Sequence, residues 1–259
     1  MKRRLLLLIF LVIFIYLFFQ KHIVNDSSNL VQKSDQIASP TPVINQAQNE
    51  ISKENITYFI NWFRVEDTKN FFLIPNFQEK LSSEEIIKNK SCKYLSSAGF
   101  YTTDNKPIGL FYTNNKKYSQ DTENTIFNGF FYVSGDGSIF IDQKAPTESY
   151  RMAIQTGPLI KFKSNYLDLS NLNNDSARRN VLALSNDGKI IILSIYKTNS
   201  FFDGPRLQDL PEILTKYEKE NHFILSDVIN LDGGSASVFK NDYAYLTELT
   251  VVGSFLCYI

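Results

Sequence analysis

Apolar and polar positions along this chain fall into three regimes. Fifteen consecutive apolar residues, Leu5 to Phe19, follow directly on Met-Lys-Arg-Arg. Residues 25–55 are rich in Asn, Ser, Gln, Lys and Asp, with Pro40 and Pro42 among them. They keep neither a helical nor a strand period, which reads as a flexible polar tether. From residue 56 to 259 the chain breaks into short apolar runs bounded by Asn, Asp and Gly.

Basic residues ahead of an apolar run are the pattern of a signal segment. At 1.5 Å per residue, fifteen residues span about 22 Å, short of the roughly 30 Å hydrocarbon core. Extension through Ile23 and Val24 closes that gap, and the run ends Phe18-Phe19-Gln20-Lys21 with no small-residue pair for cleavage. The expectation is a signal-anchor or transmembrane segment over residues 1–24. A cleaved leader, giving a secreted protein, is the alternative. Either way the positive-inside rule puts the basic end in the cytoplasm and the remainder outside.

Residues 56–259 are expected to form a single domain. Strands are predicted at Tyr58–Phe63, Ile108–Tyr112, Ser138–Asp142, Leu159–Phe162, Val181–Ser185, Ile190–Ile195, Val228–Leu231 and Thr250–Cys257, from their Ile, Val, Phe and Tyr content. Asn186-Asp187-Gly188-Lys189 is a hairpin turn with Gly188 supplying positive φ. Helices are few. Ser82 and Glu85 have capping-box spacing, and Asp209 and Glu212 repeat it. Leu210, Ile213, Leu214 and Tyr217 then share one helical face. Strands outnumber helices without regular alternation, so the class is α+β with a mixed, mostly antiparallel sheet.

Charge narrows the function. The chain has 27 basic and 27 acidic residues, a formal net charge of zero, which speaks against a nucleic-acid partner. It is 43% hydrophobic, enough for a sizeable core. Two histidines leave no zinc-type spacing, and no metal or cofactor is expected. His222 is expected to be exposed or to cap a helix. Cys92 and Cys257 either pair or leave a buried thiol in the C-terminal strand.

Four segments could carry chemistry. Val228-Ile229-Asn230-Leu231 runs into Asp232-Gly233-Gly234-Ser235, an apolar strand ending in a carboxylate beside two glycines. Glycines allow close backbone approach and turn N–H groups toward an anion, although a tight turn with an Asx cap has the same residues. Arg178-Arg179-Asn180 enters a strand, where an arginine fork can meet a phosphate or simply stay solvated. Gln155-Thr156-Gly157-Pro158 interrupts two apolar runs, as a polar site or a plain bulge. Ser97-Ala98-Gly99-Phe100-Tyr101, with Lys106-Pro107-Ile108-Gly109-Leu110 and Asn128-Gly129-Phe130-Phe131, reads singly as sheet turns with core aromatics.

Taken in order, AGFY, KPIGL, QTGP, RRN and NLDGGSAS resemble the phosphodiester glycosidase family, the domain of the uncovering enzyme, and within it the bacterial branch labelled exopolysaccharide-biosynthesis-related. The likeness covers roughly residues 95–240. Ser97 stands where many members have Asn, and Thr156 replaces a usual Ser. The resemblance implies hydrolysis of a sugar-1-phosphodiester, such as an N-acetylglucosamine-1-phosphodiester, outside the cytoplasm in cell-surface glycan metabolism. The implied partners are a sugar phosphodiester or surface polysaccharide, and the membrane through the anchor. The catalytic pair it implies is Asp232, as the carboxylate, and Arg179, as the phosphate's cation. Substrate binding is implied for Gln155, Thr156, Gly157, Arg178, Asn180, Gly233, Gly234, Ser235, Gly99, Tyr101 and Asn128. A non-catalytic glycan or cell-wall-binding domain is the alternative, and a hydrolase of another phosphodiester or a peptidoglycan fragment a third reading.

Overall fold

The computed structural model describes residues 49–147, 149–172, 175–222 and 224–259. The expected anchor, and the tether up to residue 48, lie outside the described residues. Among those described, no helix is long and apolar enough to cross a membrane.

The first half of the chain runs β1 (Asn49–Lys53), β2 (Ile56–Val65), β3 (Phe71–Pro75), α1 (Ser83–Lys90), β4 (Tyr94–Ser97), β5 (Phe111–Thr113), β6 (Lys116–Ser119), β7 (Gly129–Ser134) and β8 (Ile139–Asp142). The second half adds β9 (Tyr150–Thr156), β10 (Leu159–Phe162), β11 (Asn165–Tyr166), β12 (Arg179–Ser185), β13 (Ile190–Lys197), α2 (Leu210–Asn221), β14 (Leu225–Asn230), β15 (Phe239–Lys240), β16 (Tyr245–Leu246) and β17 (Ser254–Tyr258). They form a seven-stranded sheet, β1-β2-β13-β12-β14-β10-β11, and two five-stranded sheets, β16-β15-β4-β17-β3 and β6-β5-β9-β7-β8. The described pairings are antiparallel, as in β12 with β13 and β14. The fold is α+β with mostly antiparallel sheets.

The seven-stranded sheet is covered on both faces, which explains the continuous apolar runs of its central strands. Leu182, Ile190, Ile192 and Ile229 face a core shared with the smaller sheets through Phe71, Phe131 and Phe239. Val181, Ile191, Leu193 and Val228 face the other way, onto Leu210, Ile213, Leu214 and Tyr217 of α2. The helical face expected for α2 is therefore the one it buries.

Local signals are realised where local chemistry suffices. Ser82 accepts from the Glu85 N–H while Glu85 reaches back to the Ser82 N–H, closing the capping box of α1. Gly188 (φ 73°) turns β12 into β13. His222 ends α2 in the left-handed region, its N–H donated to the Glu218 carbonyl. The Asp209 box does not form: its carboxylate is taken by Lys53 (2.5 Å) and Arg206 (2.7 Å), so no side-chain cap closes α2.

Boundaries differ from the sequence reading: the strand expected over Thr250–Cys257 starts only at Ser254, and two further differences have a clear cause. Residues 49–53, read as tether, form edge strand β1, paired with β2 in the register Ile51↔Tyr58. One inward side chain, Ile51, buried at 1% exposure, anchors a strand whose other four positions are polar, too little for a visible period. The strand expected over Ile108–Tyr112 shifts to β5, because the Ile108 N–H is donated to Phe100 and the Leu110 N–H to the Gln155 side chain.

Cys92, just past α1, is disulfide-bonded to Cys257 in β17, 165 residues away. Both sulfurs lie in a buried cluster with Ile86, Leu95 and Phe255. Closing so long a loop restricts the unfolded chain, so Cys92→Ser with Cys257→Ser is expected to cost about 2–5 kcal/mol. Thermal unfolding with and without reductant, beside a thiol count, checks this. Equal Tm in both conditions with two titrated thiols would show the bond is not formed.

Candidate active site

β14 ends at Asn230, and the next residues change partners. The Leu231 N–H is donated to the Asn180 carbonyl of β12 (2.8 Å), whereas the Asp232 N–H is donated to the Ala98 carbonyl beyond β4 (2.8 Å). The Ser97 hydroxyl donates to the Asp232 carbonyl (2.7 Å), and the Gly234 N–H returns to the Arg178 carbonyl (2.8 Å). Residues 231–234 thus form a strap between two sheets, and Asp232 sits at the crossing point.

The glycines serve that crossing. A Cβ on Gly233 would stand 2.6 Å from the Arg178 carbonyl oxygen, and Gly234 holds φ +61°. Gly233→Ala must therefore push the strap off the Arg178 backbone, at about 1–3 kcal/mol. The expected result is a Tm lowered together with activity, read by calorimetry and turnover on one preparation.

Asp232 is 8% exposed. Burial pushes its carboxyl up to about 8, with only the Gly233 N–H pulling the other way and no cation contributing. A carboxyl so placed exchanges its proton near neutral pH, which suits acid–base work. Its charge reaches Tyr101, whose phenol is pushed above its ordinary range by burial and by Asp232.

The arginines are placed differently from the sequence expectation. Arg178 is fully buried. Its Nε donates to Ser237 Oγ (2.6 Å), Nη1 to the Phe201 carbonyl (3.0 Å), and Nη2 to the Ser237 and Thr247 carbonyls, the latter at 2.8 Å. Burial lowers its pKa to about 10, which leaves it charged at neutral pH. It is a structural cation clamping three segments, not a substrate ligand. Arg179 is part-buried and donates from Nε to Pro205 (3.1 Å) and from Nη2 to Asp175 (2.5 Å), both backbone carbonyls. Its Cα nevertheless lies beside Gly233.

Other expected binding residues also turn out to be braces. Gln155 Oε1 accepts from the Leu110 and Thr122 N–H groups, and Nε2 donates to the Thr122 and Phe127 carbonyls, so the side chain has no capacity left for a sugar. Thr156 is buried and donates to the Asn230 carbonyl (2.8 Å). Asn180 donates to Ser97 Oγ (2.8 Å) and the Val238 carbonyl (2.7 Å). Asn128 Oδ1 accepts from the Leu159 N–H (2.8 Å). Gly157 lies against the chain near Asn128: a Cβ there would stand 2.3 Å from the Ile126 carbonyl. Gly99 accepts from Ser254 Oγ (3.4 Å), and Tyr101 donates to the Val251 carbonyl. Ser235 is exposed, and its carbonyl accepts from the Leu249 and Thr250 N–H groups.

The segments of Asp232, Gly233, Gly234, Arg178, Arg179, Asn180 and Gly99 therefore converge on the strap. Thr156 and Gly157 join through Asn230, which sequence reasoning missed. Asn230 donates to the Gly157 carbonyl (3.0 Å), while its Oδ1, like that of Asn180, is buried with no hydrogen-bond partner. An amide inside the apolar run VINL was the available signal. Ser97, the departure from the family pattern, is part of the framework holding Asp232. Among the described residues, no group of three or more His, Cys, Asp or Glu could hold a metal ion.

Comparison places this geometry. The catalytic domain of zebrafish N-acetylglucosamine-1-phosphodiester alpha-N-acetylglucosaminidase, solved auto-inhibited by its pro-peptide, superposes with a TM-score of 0.61 at 14% identity, covering 85% of this chain and 84% of that one. A hypothetical protein from Synechocystis aligns with a TM-score of 0.49 at 12% identity, over 81% of this chain and 61% of its own. No curated protein matches the chain. A family model described as phosphodiester glycosidase matches residues 90–248, more than half of the chain and all of the segments that build the strap. On that match, the chain belongs to the phosphodiester glycosidase family.

Proposed function

We propose that the protein is an extracytoplasmic hydrolase of sugar-1-phosphodiesters, of the N-acetylglucosamine-1-phosphodiester kind, in cell-surface glycan metabolism. The observation that carries this reading is Asp232: a buried carboxyl at a strand end, raised to about 8, held between two glycine-hinged segments of a family member. The bond to break joins the anomeric carbon to a phosphate oxygen. A phosphomonoester leaves readily, so the reaction needs less acid assistance than an ordinary glycoside does. What it needs is help at the attacking water. Ionised Asp232 takes the water's proton as oxygen attacks C1, the C1–O bond breaks, and sugar and phosphomonoester depart. Arg179, with its backbone against Gly233, is the cation we assign to the phosphate, and exposed Ser235 a further contact beside Gly234.

The disulfide supports an oxidising compartment outside the cytoplasm, where such bonds persist. Residues 1–24 remain our assignment for the membrane anchor, and the exopolysaccharide branch our assignment within the family. A binding-only role on the same fold has one observation in its favour: both arginines spend guanidinium donors on backbone carbonyls.

Sugar release from a panel of sugar-1-phosphodiesters, N-acetylglucosamine-1-phosphodiesters first, tests the proposal. Activity that Asp232→Asn abolishes supports it. No release across the panel, together with saturable glycan binding, supports the binding-only reading. A base must be ionised, so kcat/KM is expected to rise with pH through an inflection near 8, the value to which burial carries Asp232. A profile falling through that inflection would make Asp232 the acid instead.

A further inference from the structure

A cavity of about 420 Å³, lined by none of the strap residues, opens beside β4. Tyr94, which lines it, begins β4, and Ser97, which bonds the Asp232 carbonyl, ends that strand. At roughly 3.3 Å per residue, the two ends lie about 10 Å apart. The cavity and the strap occupy opposite ends of one strand.

Its walls are aromatic. Trp62, Tyr94, Tyr243 and Tyr258 line it, with Lys93 and Asp242 among the polar residues. Trp62 is 40% exposed and Tyr243 46% exposed, a cost in unburied ring surface that the core does not require. The Tyr94 and Tyr258 rings are held in place. Tyr94 and Tyr258 stack at 5.9 Å and 19°, and Phe63 packs on Tyr94 at 5.2 Å. The Tyr94 hydroxyl donates to Asp242 (2.6 Å), and Lys93 Nζ lies 4.7 Å from the Tyr94 ring centre. Asn241 fastens the loop: Nδ2 donates to the Trp62 carbonyl (2.9 Å), and Oδ1 accepts from the Tyr243 (2.9 Å) and Ala244 (2.7 Å) N–H groups.

The geometry points to a binding site for a neutral oligosaccharide in this cavity. A sugar ring has an apolar C–H face that stacks on an aromatic ring and hydroxyl edges that need donors and acceptors around it. Clustered aromatic rings with a mixed charged rim supply both. The rim balances charge, Arg64 and Lys93 against Glu66 and Asp242, which favours a neutral ligand over a phosphate or a polyanion. The volume falls in the range of small-ligand sites, about 300–1,000 Å³. This inference does not depend on hydrolysis at Asp232.

Trp62 is the only tryptophan in the chain, so tryptophan emission of the full protein, excited where the fourteen tyrosines absorb little, reports on this cavity. Titration with cellotetraose, chitotetraose, maltotetraose and mannotetraose to millimolar concentration is expected to give a saturable emission change with at least one of them. Asp232→Asn should keep that response. Tyr243→Ala, at an exposed position, should keep the wild-type Tm and weaken affinity by about tenfold or more. No saturable change with any of the four would overturn the inference. So would a response lost in Asp232→Asn or undiminished in Tyr243→Ala. Sugar release is measured separately, so the groove and the hydrolytic reading can fail independently.

Discussion

Asp232→Asn is expected to reduce sugar release by about 10³-fold or more while making the folded protein more stable at alkaline pH. The loss follows from removing the base at the reacting centre. The gain follows from burial. The folded chain holds the Asp232 proton up to about 8, whereas an unfolded chain releases it near the ordinary 3.8. Across that window the folded state binds more protons, so wild-type stability falls as pH rises, by up to about 1.4 kcal/mol per unit, and levels off above 8. Asparagine does not titrate. Thermal unfolding of both proteins should coincide near pH 4 and separate steadily to pH 8, the variant unfolding at the higher temperature. A Tm difference that does not vary with pH would show that Asp232 is not buried as described. Lost activity with a gained Tm is the exchange expected where a site keeps an unfavourable charge for its chemistry.

Arg178→Met is expected to do the reverse, damaging the fold before the chemistry. The guanidinium satisfies the carbonyls of Phe201, Ser237 and Thr247 and the Ser237 hydroxyl, with none of its surface exposed. A thioether fills much of the space and satisfies none of these groups. Orphaning several buried polar atoms at once costs about 3–5 kcal/mol. For a domain of this size, that lowers Tm by about 10 °C. Circular dichroism melts read the Tm, and turnover per folded molecule reads the chemistry. Per-molecule kcat should stay close to wild type below the melt. A variant with unchanged Tm and lost turnover would return Arg178 to the substrate.

The contrast between these two residues shows what could be read from residue order. Both stood out for the same reason, a charged side chain at the end of an apolar strand. Asp232 keeps the place its motif suggested, because a strand running into two glycines fixes where the backbone turns whatever packs around it. Arg178 does not, because its partners lie 23, 59 and 69 residues away and no local pattern encodes them. Gln155 behaves alike: every group of its amide is claimed by backbone groups 28 to 45 residues distant in sequence.

Sequence alone determined the class of the fold, the Ser82 capping box, the buried face of α2, the Gly188 hairpin, and the ordered motifs ending in Asp232-Gly233-Gly234. Each depends on period, turn chemistry or spacing within a few residues. Tertiary structure decided the rest. It joined Cys92 to Cys257, made an edge strand of residues 49–53 through Ile51, spent Arg178 and Gln155 on backbone groups, and buried Asp232 with no cation beside it. These outcomes depend on which distant segments meet, and desolvation, unlike periodicity, is a property of the assembled core.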